Sequence, residues 1–382
     1  MPREPQRSAD LPEKLLIISC SARMLAQSAA RAGIRVVTLD HYADADTRAS
    51  AAVSESVPFQ NGGFDPPPLV EAALRLAPGK DYPLVYGSGL DTQPDLLEAF
   101  AKSHEVIGNS PAIQRLFRSP PSFFGLLRHC GISYPEIRHE RPARTENWLI
   151  KSGCSEGGKR VRFCAQDQAG PEDYYQKRLH GPALSALFLA DGREARLIGF
   201  NTLWTSASPT QPFLFAGAMN HAPLDARLRQ QVKSHIITLV KASGIKGLNS
   251  LDFMIDSRDE LQVLEVNARP SATMALYDQD APEGLLAAHI RACRGELAFD
   301  AATSSSRAFR VIFAPKRVIS MASSAWPAWC ADLPVSGSPV VAGEPLCTVR
   351  AEGGNPIEAE RLLEARLNQL SARLSAAHPS SS

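Results

Sequence analysis

The chain contains no Cys-x-x-Cys pair and no Cys/His cluster at zinc-ligand spacing, and its seven cysteines (Cys20, Cys130, Cys154, Cys164, Cys293, Cys330, Cys347) are an odd number. A structural zinc site and a disulfide framework are therefore disfavoured, and the thiols read as reduced and mostly structural. Charge of one sign is not in excess either: 41 basic and 40 acidic residues leave a formal charge of +1, with the basic residues scattered. Without a basic stripe there is no electrostatic footprint for nucleic acid or an anionic membrane. No apolar run approaches the roughly 18 residues of a membrane span. The start, Met1 to Asp10, lacks the apolar core of a signal peptide, so a cytoplasmic location is expected. Also missing are G-x-G-x-x-G, a Walker A loop and the protein-kinase motif set, which turns the reading away from dehydrogenases and kinases.

What is present is a chain of 382 residues, long enough for several domains and a substantial core. Leu15-Leu-Ile-Ile-Ser19 reads as a buried strand, Arg23 to Ala32 as a helix stopped by Gly33, and Arg35 to Leu39 as a second strand. Strand-like Leu84 to Tyr86 and Glu105 to Ile107 continue this α/β unit. Four parts are expected: 1–112, Rossmann-like; 113–182, a lid; 183–300, the part carrying the chemistry; and 301–382, a small β-rich tail with a final helix over 356–376.

The most informative stretch is 247–270. Both halves alternate with a period of two, and Ser257 to Glu260 reads as the turn between them. With Asp256 and Leu261 flanking that turn, Asp252 lies directly across from Glu265, Cβ atoms roughly 5 Å apart. Facing carboxylates repel unless a hard dication bridges them, and Mg²⁺ prefers one or two carboxylates plus waters and substrate phosphates. Asn267 shares the face of Glu265 and completes three oxygen ligands. The alternative is an exposed hairpin with solvated acids. Upstream, Lys151 ends a strand before Ser152 to Lys159, where a lysine beside a Gly-rich loop can hold nucleotide phosphates. Gly-Gly pairs alone mostly mark ordinary turns.

In order along the chain stand Ser19-Cys-Ser-Ala22, Tyr86 to Asp91, Gly108-Asn-Ser-Pro111, Gly131 to Pro135, Trp148 to Lys151, Glu156-Gly-Gly158, Tyr175 to Gly181, Gly247 to Asp252 and Leu264 to Thr273. With these pieces, over about residues 14–370, the sequence resembles the ATP-grasp superfamily, specifically its predicted carboligases related to biotin carboxylase. The resemblance implies an ATP-grasp fold with a Rossmann-like first domain, and ATP with two magnesium ions, manganese serving as a substitute. It implies that Lys151 contacts the phosphates, that Glu156, Gly157 and Gly158 close over them, and that Gln176 is in the hinge where backbone groups of Lys177, Arg178 and Leu179 read adenine. Asp252, Glu265 and Asn267 match the metal ligands. Arg269 matches an arginine that stabilises charge on the transferred phosphoryl group, a salt bridge to Glu265 or Asp252 being its structural alternative.

Substrate recognition is expected at Ser19, Ser21, Gly87, Ser88, Gly89 and Asp91, at carboxyl ends of strands. Ser271 and Thr273 either meet the acceptor or cap the following helix. Cys154 reads as a spacer, not a nucleophile. The sequence departs from the family pattern where a second phosphate-binding lysine is usual, with Arg118 nearby, and Asp91 stands where a glutamate is common. The implied reaction is phosphorylation of a small-molecule carboxylate and attack by an amine to form an amide. The group's association with tetrahydromethanopterin and methylofuran points to cofactor building, with glutamate added to a tyrosine-derived amine. Rival readings are a bicarbonate-using carboxylase and a nonenzymatic ATP-binding regulator. A homodimer is expected, with no nucleic-acid or membrane partner.

Overall fold

The structure, a computed structural model, describes residues 10–153, 156–206, 211–297, 299, 305–322 and 325–377. Lys14–Ser19 pairs in parallel with Arg35–Asp40 on one side and Leu84–Tyr86 on the other, and Val53–Ser56 adds outside Arg35–Asp40. Leu15, Leu16, Ile17 and Ile18 are all fully buried. A parallel strand covered on both faces shows no polar alternation, hence the continuous apolar run. The strand expected at Glu105 to Ile107 is instead a single bridge, Val106 to Leu84. The segment is short, and Gly108 follows it.

Two helices, Pro111–Arg118 and Pro120–His129, lead into a four-stranded sheet. Its antiparallel strands run in the order Ile137–Arg138, Asp173–Lys177, Trp148–Ser152, Arg162–Phe163. The last begins only at Arg162. Turn bonds from Lys159 N–H to the Glu156 carbonyl (3.2 Å) and from Val161 N–H to the Gly158 carbonyl (3.1 Å) take those backbone groups first.

The rest is built on one antiparallel sheet, ordered Leu261–Asn267, Lys246–Ile255, Ala183–Asp191, Ala195–Ser206, Leu214–Met219, Ser306–Phe313, Pro345–Gly353, Cys330–Ala331. Strands after residue 300 thus continue the central sheet, and the helix Pro356–Ala377 covers them with Leu363 and Leu370 buried. Ala226–Ser243 packs on the other end; Asp225 caps it by accepting from Leu228 N–H (2.7 Å), and Gly244 ends it in the left-handed region. Among the described residues, no helix is long and apolar enough to cross a membrane.

Candidate active site

The hairpin places Asp252 opposite Glu265 and Ser250 opposite Asn267, by a route the spacing does not show. Ile255, not Asp256, pairs with Leu261, so the turn has five residues, with Asp259 at φ 59°. Asp256 is drawn into it because its carboxylate accepts from the N–H groups of Arg258 (2.9 Å) and Glu260 (3.0 Å). A bulge at Leu264 then restores the register before the acids are reached. Asn267 Nδ2 lies 3.1 Å from Asp252 Oδ2. Burial first, and then the charge of Glu265, hold the Asp252 carboxyl well above the usual carboxylate range.

Two residues outside the hairpin fasten it. Asn109 Nδ2 reaches the Lys246 carbonyl (3.0 Å) and the Ala268 carbonyl (2.9 Å), so one side chain holds both strands. The buried His289 accepts the Leu248 N–H at Nδ1 (2.9 Å) and meets the Ile107 carbonyl at Nε2 (3.1 Å). That approach requires Gly247, where a Cβ would lie 2.5 Å from the imidazole and φ is +71°. Neither fastener is legible in the spacing, although Asn109 lies in a motif quoted above.

Lys151 faces a recess shared with Arg118, Phe123, Tyr174 and Glu265. It pairs in register with Tyr174 on the adjacent strand. Burial alone would lower its pKa, but Tyr174, Glu265 and Asp252 raise it, so the ammonium stays charged. Tyr174 is a site residue the sequence reading missed. A register assignment for the lid strands was the signal that would have found it.

Arg269 does not pair with Glu265 or Asp252. Its Nε donates to Asp91 Oδ2 (3.1 Å), and an Nη donates to Glu156 Oε1 (3.3 Å). Asp91 is fully buried and has to be paired, and Arg269 reaches across to it. Arg118 donates to the same two carboxylates, at 3.2 Å to Glu156. Gly89 N–H donates to Asp91 Oδ1 (3.0 Å) and to Glu156 Oε1 (3.2 Å). Burial would raise the Asp91 pKa, yet Arg118 and Arg269 hold it below its ordinary value. Glu156 is pushed up to about 8 by burial and by the Asp91 charge. Glu156 thus reaches the loop after Leu84–Tyr86 and the two arginines. The stretch behind it is pinned by a bond from Phe215 N–H to the Gly157 carbonyl (2.8 Å), and Gly158 passes so close to Phe213 that a Cβ would strike its carbonyl.

The remaining expected residues fall around this centre. Ser19 is buried, and its hydroxyl donates to the Ser21 carbonyl (2.8 Å). Cys20 N–H donates to the Ser88 carbonyl (2.7 Å), and a Cβ on Gly87 would clash with Ser19, so the two first-domain loops are locked together. Ser271 makes no side-chain cap; its hydroxyl pairs with Thr273 (2.9 Å), and both are buried. The capping alternative for Ser271 is thereby removed. Gln176 is buried, with Nε2 lacking a hydrogen-bond partner. The N–H groups of Lys177 and Arg178 already donate to the Glu136 and Asn147 carbonyls (each 2.8 Å). Arg178 stacks its guanidinium on Phe163 (5.0 Å), which meets Phe213 (5.2 Å), in the turn just before the strand Leu214–Met219. Leu179 follows them, half-buried. Cys154 lies outside the described residues.

Residues 123–273 match the family model described as ATP-grasp domain. No curated protein matches the chain in sequence. Among similar solved structures is the biotin carboxylase–beta-gamma-ATP complex from Campylobacter jejuni, 14% identical, with a TM-score of 0.70 over 92% of this chain and 90% of that one. The biotin carboxylase domain dimer of Hydrogenobacter thermophilus 2-oxoglutarate carboxylase, in complex with MgADP, ADP and bicarbonate, is 13% identical, with a TM-score of 0.68 over 89% and 86%. An L-amino acid ligase from Bacillus licheniformis is 12% identical, with a TM-score of 0.68 over 94% and 98%.

Proposed function

We infer, from a chain that has the ATP-grasp fold and carries an ATP-grasp domain at residues 123–273, that it is an ATP-dependent carboxylate–amine ligase. The reaction class is transfer of a phosphoryl group to a small carboxylate, then attack of an amine on the acyl phosphate to give an amide, ADP and phosphate. One observation carries this reading: the charged Lys151, Glu265 and Arg118 line one recess, with Asp252 facing Glu265 across the hairpin and Arg269 sharing two carboxylates with Arg118.

The residues fit a hard dication and a nucleotide. Asp252 and Glu265 repel each other across the hairpin. Among the described residues, no cluster of three or more His, Cys, Asp or Glu side chains could hold a metal, so the site offers two acids and the Asn267 amide. A donor set so lean suits Mg²⁺ completing its shell with phosphate and water. The orphaned Nε2 of Gln176 calls for an acceptor such as a base nitrogen. Bound Mg-ATP supplies the phosphoryl group and offsets its charge. Lys151 would bind phosphate oxygens, Arg269 would stabilise charge at the transfer point, and Glu156, Gly157 and Gly158 would cover it. With the N–H groups of Lys177 and Arg178 engaged, their carbonyls and Leu179 are what remain to read adenine. The loops at Ser19, Ser21, Gly87, Ser88, Gly89 and Asp91, with Ser271 and Thr273, would hold the substrates.

The proposal extends to a four-part division at residues 112, 182 and 300, a homodimer, a cytoplasmic location and a place in tetrahydromethanopterin or methylofuran cofactor building. The carboxylase alternative keeps support from the bicarbonate bound in the Hydrogenobacter domain. The test is ADP and phosphate release with Mg-ATP across carboxylates and amines, including glutamate, tyrosine and tyramine, and with bicarbonate. Release that requires one acid and one amine, with an amide seen by mass spectrometry, is the expected result. Release that requires bicarbonate alone overturns the ligase reading.

A further inference from the structure

One row of side chains across the central sheet is polar, although Leu187 and Leu248 farther along the same face are core leucines. Glu265 pairs with Asp252, Asp252 with Ser185 and Ser185 with Asn201, so four polar side chains from four neighbouring strands stand in line on one face. Ser185 and Asn201 are fully buried, and buried polar groups have to be met. Asn201 Nδ2 donates to Ser185 Oγ (3.1 Å), and Tyr277 Oη donates to Asn201 Oδ1 (2.7 Å), with the Phe200 carbonyl farther off at 3.3 Å. Burial, and then Asp280, push the Tyr277 phenol up, so it keeps the proton that it donates. A Cβ on Gly199 would strike Tyr277 Oη, so glycine is what lets the ring reach the row. A line of donation thus runs from Tyr277 through Asn201 to Ser185. With Asn201 donating into Ser185 Oγ, the Ser185 O–H remains to be given, and the next side chain in the row is Asp252. Asp252 meets Glu265 and Asn267 Nδ2 (3.1 Å) on its other flank, from the strand Leu261–Asn267.

We propose that Ser185 is a positioning residue for Asp252, giving its O–H to that carboxylate and holding it in the orientation that a bound Mg²⁺ needs, while Asn201 and Tyr277 act through Ser185 by keeping the hydroxyl turned. This rests on the reading of Asp252 and Glu265 as the magnesium site, and not on the amide-forming chemistry. A carboxylate fixed from both flanks loses less freedom when the ion arrives, so the three groups raise affinity for an ion that they do not touch. The far end of the line is fastened as well. The residue after Tyr277, Asp278, accepts from Ser28 Oγ (2.5 Å), Arg31 Nε (3.0 Å) and Leu285 N–H (2.7 Å), which ties it to the helices Arg23–Arg31 and Gly284–Cys293.

The experiment is calorimetric titration of the full chain with magnesium chloride at constant ionic strength, together with denaturant unfolding of the same proteins in a chelator. The parent, Asp252→Asn, Ser185→Ala, Ser185→Thr, Tyr277→Phe and the double variant Ser185→Ala/Tyr277→Phe are compared. Ser185→Ala and Tyr277→Phe each weaken Mg²⁺ binding about tenfold, and Ser185→Thr, which keeps the hydroxyl, restores it. The double variant binds no more weakly than Ser185→Ala alone, because Tyr277 acts through Ser185. A role in packing alone would lower stability in chelator and leave the Mg²⁺ dissociation constant unchanged, and that result overturns the proposal. Should Ser185→Ala fail to fold, Tyr277→Phe carries the same comparison, and unchanged Mg²⁺ binding by it overturns the line. A parent that binds no Mg²⁺, or binds it as well in Asp252→Asn, overturns the metal reading and the proposal with it. Binding that depends on Asp252 but not on Ser185 overturns the positioning alone. Neither titration nor unfolding reads amide formation, so failure of the ligase reading shows separately, in ADP release.

Discussion

Two acidic pairs lie within the same site and are held in opposite ways. Asp252 and Glu265 face each other across one hairpin with an amide beside them, and Asp252 is forced toward its protonated form. Asp91 follows the parallel strand Leu84–Tyr86 and Glu156 follows the antiparallel strand Trp148–Ser152, and two arginines bridge them. The first pair is short of positive charge until a cation arrives. The second already has its positive charge, supplied by Arg118 and Arg269. Placed side by side, they give the site one pair that calls for a cation and one that already has its cations.

Breaking the balanced pair has the largest expected effect. Arg269→Ala leaves the fully buried Asp91 with less compensation, and losing a partner from a buried ion cluster costs about 3–5 kcal/mol. Denaturant unfolding should show that loss, while Asp91→Asn in the same background recovers part of it.

Acid should separate the two pairs next. His289 fastens the hairpin strand, and burial lowers its pKa from 6.5 to about 4, partly offset by the bond to Ile107. Because the folded state takes up its proton later than the unfolded chain, the contribution is complete above pH 6.5 and is lost as pH falls toward 4. That amounts to about 3 kcal/mol. Histidine NMR shifts should show one imidazole titrating near 4, and stability measured across that window should fall.

The smallest effect sharpens the contrast in sign. Asp252→Asn removes a like-charge contact and stabilises the metal-free protein by up to about 1 kcal/mol, the reverse of what Arg269→Ala does. Adding Mg²⁺ at a hundredfold excess over its dissociation constant should stabilise the parent by about 2.7 kcal/mol and leave Asp252→Asn nearly unmoved. Thermal unfolding with and without the ion reads both. A variant destabilised in the absence of metal would mean that the two carboxyls do not repel.

The difference between the pairs also explains what could be read beforehand. Asp252 and Glu265 are thirteen positions apart, and strand alternation is a local property, so their pairing follows from the sequence even though a longer turn and a bulge at Leu264 compensate to produce it. Lys151 at the end of a strand and the covered parallel strand Lys14–Ser19 are legible for the same reason. Arg269 lies 178 positions from Asp91, and Glu156 lies 67 from Gly89. No periodicity reaches that far, so the reading gave Arg269 the wrong salt-bridge alternative, left Arg118 as a mere departure from pattern and passed over Tyr174. Asn109 and His289 escaped notice because their work is done through backbone carbonyls and N–H groups of distant strands, which carry no residue identity.

By itself, then, the sequence determined the strands, the facing acids with Asn267, the lysine before the Gly-rich loop and the order in which these follow one another. All of them are consequences of side-chain alternation and turn chemistry over a few residues. Only the tertiary structure decided which charges neutralise which. Ion pairing depends on distances between segments that the chain path brings together, and burial sets how strongly each charge must be met.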